Sequence, residues 1–180
     1  MRLIEGFREV TVRIGDYRVS AVAPDVTLPD TDIVVTETDT FMVLQDENHF
    51  TETTEPPLKI LTKAFHATPV SVGSVIPGGT DPLRLHAVIY DFDQEEICRP
   101  EWLARAWRQI VDIVNRSEYK LLTTPLLGGK SHQITIRERC QLFHDVLEEA
   151  EAKHHIGINL LCNGPERREW STLAGNDKQR

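Results

Sequence analysis

Apolar and polar positions along this chain follow two different periods. Residues 9–14 and 17–22 alternate apolar and polar side chains around Gly15-Asp16. A two-residue connection with glycine first predicts a type II′ hairpin. Residues 32–36 and 85–90 are short apolar runs rich in β-branched or large side chains, and both predict buried strands. Residues 70–75 predict another strand, stopped by Pro77-Gly78-Gly79, and residues 41–44 a strand or the start of a loop. Between these, residues 45–55 are polar and acidic, and Pro56-Pro57 opens a predicted helix to Ala67 with Leu58, Leu61 and Phe65 on one face. The period then lengthens. Leu103, Trp107, Ile110 and Val114 recur at helical spacing within residues 100–116, and Ile136, Cys140, Phe143, Leu147 and Ala150 within a helix from Ile134. Residues 119–125 and 157–161 predict strands before and after that second helix.

This order predicts six or seven strands and three helices. It specifies a three-layer α/β/α fold whose sheet is mixed and mostly parallel, with an antiparallel hairpin at the amino end. At 180 residues the chain suits a single domain, expected over residues 1–162. Residues 163–180 are polar and aperiodic and are expected to form a tail. A net charge of −8 argues against a broad nucleic-acid face. No apolar run approaches the roughly 18–20 residues needed to cross a bilayer. The amino terminus lacks the apolar core of a signal peptide. Cys98, Cys140 and Cys162 are odd in number and irregularly spaced, which fits unpaired thiols in a cytoplasmic protein better than a disulfide or zinc framework.

Candidate chemistry concentrates in the strand–helix–strand–loop–helix unit from Leu83 to His155. Parallel strands joined by a helix place the loop after the second strand at the carboxyl edge of the sheet, where α/β proteins bind ligands. That loop reads Gly128-Gly129-Lys130-Ser131. It suits a phosphate or ribose, with backbone approach at the glycines, Lys130 as counter-charge and Ser131 as donor. The plainer alternative is a tight turn in which Ser131 caps the next helix. A nucleoside-triphosphatase loop does not fit, because its first glycine would fall on Thr124. Asp91, Asp93, Glu95 and Glu96 read as a solvated acidic loop without calcium-site spacing, so no metal and no cofactor are expected. No serine-hydrolase elbow, zinc-protease motif or Cys/His nucleophile arrangement is present. Trp102 and Trp107 read as core aromatics.

From Pro69 to Cys162 the chain resembles a macro domain, the module that binds ADP-ribose and its derivatives. Residues 69–79, PVSVGSVIPGG, look like the family's "pVGeavvTpG", and residues 85–90, LHAVIY, like "yvIHavgP". Residues 121–129, LLTTPLLGG, look like "siafPaigtG", the strand and loop that wrap the ligand's phosphates and distal ribose. Residues 32–39, DIVVTETD, fall where the family has "DaIVNaaN". The resemblance implies ligand contacts from Asp16 (as the aspartate of an early "GDIT", binding the adenine amino group), Thr36, Gly128, Gly129, Lys130 and Ser131. It implies a catalytic place for Asp39, where active branches of the family carry an asparagine that orients the distal ribose.

The departures shape the functional expectation. Thr36 and Asp39 replace the paired asparagines, and the glycine-rich run that should follow is absent. Carboxylates at 37, 39 and 91–96 would gather where the family binds a diphosphate. Two unit charges ~6 Å apart repel by roughly 2–3 kcal/mol at an effective dielectric of ~20, against only ~0.3–1 kcal/mol from a helix N-terminus. The expected function is therefore a non-catalytic binding module for ADP-ribose-related or other nucleotide-like ligands, or for a protein partner. Two alternatives stand beside it. One is an ADP-ribosyl hydrolase with a rebuilt site. The other is a homo-oligomer or scaffold, as in the amino-terminal domain of leucine aminopeptidases, which resembles a macro fold.

Overall fold

A computed structural model describes residues 10–25, 30–42 and 68–177. The helix expected over residues 56–67 and the second half of the 41–44 run lie outside the described residues. β1 (Val10–Ile14) and β2 (Tyr17–Val22) form the expected hairpin, with Gly15 at φ 55° and Asp16 without a positive φ, as a type II′ turn requires. β3 (Ile33–Asp39), β4 (Val75–Gly78), β5 (Leu83–Tyr90), β6 (Leu121–Pro125) and β7 (Ile156–Leu161) complete a seven-stranded sheet in the order β1-β2-β7-β6-β3-β5-β4. The inner five strands run parallel, and β1 and β4 pair antiparallel at the two edges. The fold class is thus the mixed, mostly parallel α/β sheet with an amino-terminal hairpin that the patterning specified.

α1 (Pro100–Arg116) matches its expected span and buries Leu103, Ala106, Trp107, Ile110, Val111 and Val114. α2 (Ile136–Glu149) begins on a capping box: Thr135 Oγ1 accepts the Glu138 amide, and Glu138 Oε2 accepts the Thr135 amide. α3 (Gly164–Asp177) occupies the segment expected to be a tail. The helices pack in a row, α1 on α2 and α2 on α3. A stack of Trp107, Phe143 and Trp170, with ring centroids 4.4 and 5.5 Å apart, runs through all three.

Four local expectations need correction. The strand read at 70–75 begins only at Val75, because Gly73 takes φ 80° and sends its amide to the Val88 carbonyl in a turn. The helix after the Gly-Gly loop is capped by Thr135; Ser131 Oγ instead accepts the Gln133 amide in the loop itself. Trp102 is only half-buried, with the Arg99 guanidinium 5.2 Å above its ring, while Trp107 is a core residue at 1% exposure. The tail has a core side chain: Trp170 is fully buried.

Candidate functional site

β3 and β6 are neighbours, yet the chain leaves β3 toward β5 and β4 and leaves β6 toward β7. Crossovers diverging from adjacent strands make a topological switch point, and the crevice beyond their carboxyl ends is the expected ligand position. Ladder pairing between the two strands is confined to Ile33↔Leu122 and Val34↔Thr123, so they separate toward that crevice. Asp32 fixes the far end, with Oδ2 accepting the Lys120 and Leu121 amides at 2.8 and 2.9 Å.

The crevice is bridged by Glu37. Its Oε1 accepts the Gly128 amide at 2.6 Å and the Gly129 amide at 3.4 Å, and its Oε2 accepts the Tyr90 hydroxyl at 3.0 Å. The Tyr90 oxygen in turn accepts the Lys130 amide at 3.0 Å. Three consecutive loop amides are therefore satisfied by two side chains from β3 and β5. This arrangement is a backbone nest holding an anion, and the anion is the chain's own carboxylate. Burial pushes the Glu37 carboxyl above its usual range, outweighing the opposing hydrogen bonds from Tyr90, Gly128 and Gly129 and the charge of Lys130. Burial and the neighbouring Glu37 also raise the Tyr90 phenol, so Tyr90 remains a hydrogen-bond donor at any physiological pH.

Gly128 makes the nest. Its φ is 90°, and a Cβ there would lie 3.0 Å from Arg139 Cδ and 3.1 Å from Leu103 Cδ1. Gly128→Ala is expected to lose about 1–3 kcal/mol of unfolding free energy, measured by urea denaturation, because the backbone is strained and the close neighbours cannot all withdraw. From the other side, Arg139 Nη1 donates to the Leu126 carbonyl and to Glu166 Oε1, both at 3.0 Å, anchoring the loop to α2 and α3.

The expected site residues divide by position. Gly128, Gly129, Lys130 and Ser131 share the loop at the carboxyl edge, Ser131 buried and the Lys130 side chain exposed. Asp39 ends β3 at that same edge, where its Oδ1 accepts the Phe41 amide at 2.7 Å. Thr36 does not join them: its hydroxyl is 2.8 Å from His86 Nδ1 on the paired position of β5. Asp16 is at the opposite end of the sheet, in the turn that opens β2, with Oδ1 3.2 Å from His155 Nδ1. Asp25 lies in the turn just past the carboxyl end of β2.

The acidic loop plays a smaller part than its composition suggested. Asp93, Glu95 and Glu96 are exposed, Glu96 pairs with Arg99 at 2.8 Å, and Asp91 accepts the Asp93 amide. What the loop adds is Phe92, 54% exposed and stacked on Tyr90 with ring centroids 6.1 Å apart. It presents an aromatic face beside the nest. Burial drives the thiols of Cys98, Cys140 and Cys162 up to about 12, so none is a nucleophile at neutral pH. Among the described residues, the one group with metal-type ligand atoms within 4.8 Å of one another is His144, Asp145 and Glu148 on α2. It lies in the second half of α2, with Asp145 and Glu148 solvent-exposed.

No family model and no curated protein matches the chain. Solved structures do. The Oceanobacillus iheyensis macrodomain with ADP superposes at a TM-score of 0.69, with 14% identity over 96% of this chain and 98% of that one. The Trypanosoma brucei macrodomain in complex with ADP-ribose gives 0.60, with 13% identity over 86% of this chain and 68% of that one. The macro domain of ganglioside induced differentiation associated protein 2 gives 0.62, with 10% identity over 86% and 81%. The chain has a macro-like fold. Among the described residues no helix is long and apolar enough to cross a membrane.

Proposed function

We propose that the chain is a non-catalytic macro-like binding module, taking an ADP-ribose-related or other nucleotide-like ligand at the carboxyl edge of its sheet. The observation that carries this reading is the nest of Gly128, Gly129 and Lys130 amides. It lies at the switch point, where the Gly128 and Gly129 amides converge on the Glu37 carboxylate and the Lys130 amide on the Tyr90 oxygen bonded to it. Neighbouring macrodomain structures holding ADP and ADP-ribose support the ligand class. Phe92 offers a stacking face beside the nest, and Asp25 a carboxylate at the end of β2 for an exocyclic amine. Absence of catalysis is supported by Asp39, whose carboxylate accepts the backbone amide two residues on, and by thiols too basic to attack. A cytoplasmic location is supported by three free, buried cysteines.

Amide chemical-shift mapping with millimolar ADP-ribose tests the reading, because it detects even weak binding. Shifts confined to residues 22–25, 39–41, 90–92 and 128–131 are expected, together with no release of ADP-ribose from a modified protein. Unmoved resonances at these positions would overturn the binding site, and catalytic release would overturn the non-catalytic assignment.

A further inference from the structure

We infer that Glu37 is a built-in occupant of the anion seat and sets its ligand specificity: a phosphate-bearing ligand must displace it, whereas an uncharged nucleoside need not. The inference rests on the reading above and adds a residue to it. The loop amides of 128, 129 and 130 are the donors a ligand phosphate would use, and all three point at Glu37 or at the Tyr90 oxygen bonded to it. Glu37 stands at a small-residue position of the "DaIVNaaN" pattern. The separation of β3 from β6 beyond Val34 and Thr123 gives that side chain room to reach across. The titratable groups that interact with it from the surrounding elements are Tyr90 on β5, Cys98 between β5 and α1, and Lys130 in the loop. Lys130 is the cation of this set, and its side chain is exposed. An entering diphosphate therefore meets a half-buried carboxylate on its own hydrogen-bond donors, with one flexible counter-charge nearby. Charge repulsion and competition for the same amides act in the same direction.

The test is calorimetric titration of the whole chain and its variants with ADP-ribose and, separately, with adenosine. Glu37→Ala is expected to bind ADP-ribose about tenfold or more tightly than the wild type, while adenosine affinity changes less than about twofold. Glu37→Gln removes the charge and keeps the shape, so it gains in the same direction by a smaller factor. It decides the matter if Glu37→Ala does not fold. Glu95→Gln, an equal charge change in the exposed loop, leaves both affinities within about twofold. ADP-ribose affinity unchanged or weakened in the folded Glu37 variants overturns the inference. If the wild type shows edge-confined shifts and the variants show no gain, the inference fails and the binding reading stands. If neither wild type nor variants bind ADP-ribose at all, the reading itself falls.

Discussion

Arg139→Ala is expected to destabilise the protein by about 3–5 kcal/mol, the range for breaking a buried ion pair from one side. Arg139 and Glu166 have side chains 6% and 9% exposed, and their 3.0 Å contact joins α2 to α3. Removing the guanidinium strands a buried carboxylate, takes the donor from the Leu126 carbonyl and opens space behind Gly128. For a chain of this length, the loss corresponds to a midpoint about 6–20 °C lower. Glu166→Ala carries a further penalty, because Glu166 Oε2 also accepts the Asn163 amide at the start of α3. A double-mutant cycle separates the two roles, with a coupling energy of about 1–3 kcal/mol expected between the two positions. Additivity would show that the pair contributes nothing as a pair.

Trp170→Ala is the second large effect, expected at about 3–5 kcal/mol for emptying a fully buried aromatic site. Trp170 packs on Phe143, and Phe143 on Trp107, so one substitution loosens the contact of α3 with α2 and removes an aromatic neighbour from the stack that reaches α1. Trp170→Phe keeps most of the contact area and is expected to recover more than half of the loss. Thermal or urea unfolding followed by far-ultraviolet circular dichroism reads both variants. A loss under about 1 kcal/mol for Trp170→Ala would mean that α3 is peripheral to the fold.

The contrast between α1 and α3 explains how much of this architecture was legible in the sequence. α1 has a clean apolar stripe from Leu103 to Val114 and a proline at its first position, so period and start signal agree. α3 buries Trp170 and Glu166 on an otherwise polar helix, and one aromatic among charges has no period to detect. Its start was nevertheless written in Asn163-Gly-Pro-Glu166, where the asparagine side chain and Glu166 cap each other's amides reciprocally. β5 was legible because its apolar run is nearly continuous and its second half is buried residue after residue. The stretch before β4 was not, because Gly73 takes a turn conformation inside an apolar, β-branched run.

The site divides in the same way. Its location followed from strand–helix–strand order alone, and the glycine pair marked the loop. The number of carboxylates near this edge was also countable in the sequence. Which carboxylate matters was not legible, because Asp91, Asp93, Glu95 and Glu96 dominate the composition while Glu37 alone among them is held against the loop amides. Composition counts charges; it does not say which one points inward. Asp16 illustrates the converse, a plausible dipeptide that the hairpin places at the amino end of β2, opposite the Gly128–Ser131 loop.

The Gly128 amide proton reports most directly on whether Glu37 occupies the seat. Its bond to a carboxylate at 2.6 Å is expected to move its resonance far downfield in the wild type. Because burial raises the Glu37 carboxyl, that shift should collapse as pH falls through a midpoint above the ordinary carboxylate range. In Glu37→Gln the titration is absent. A Gly128 resonance at an ordinary position, unmoved by pH and the same in wild type and Glu37→Gln, would show that the seat is open and would contradict the account.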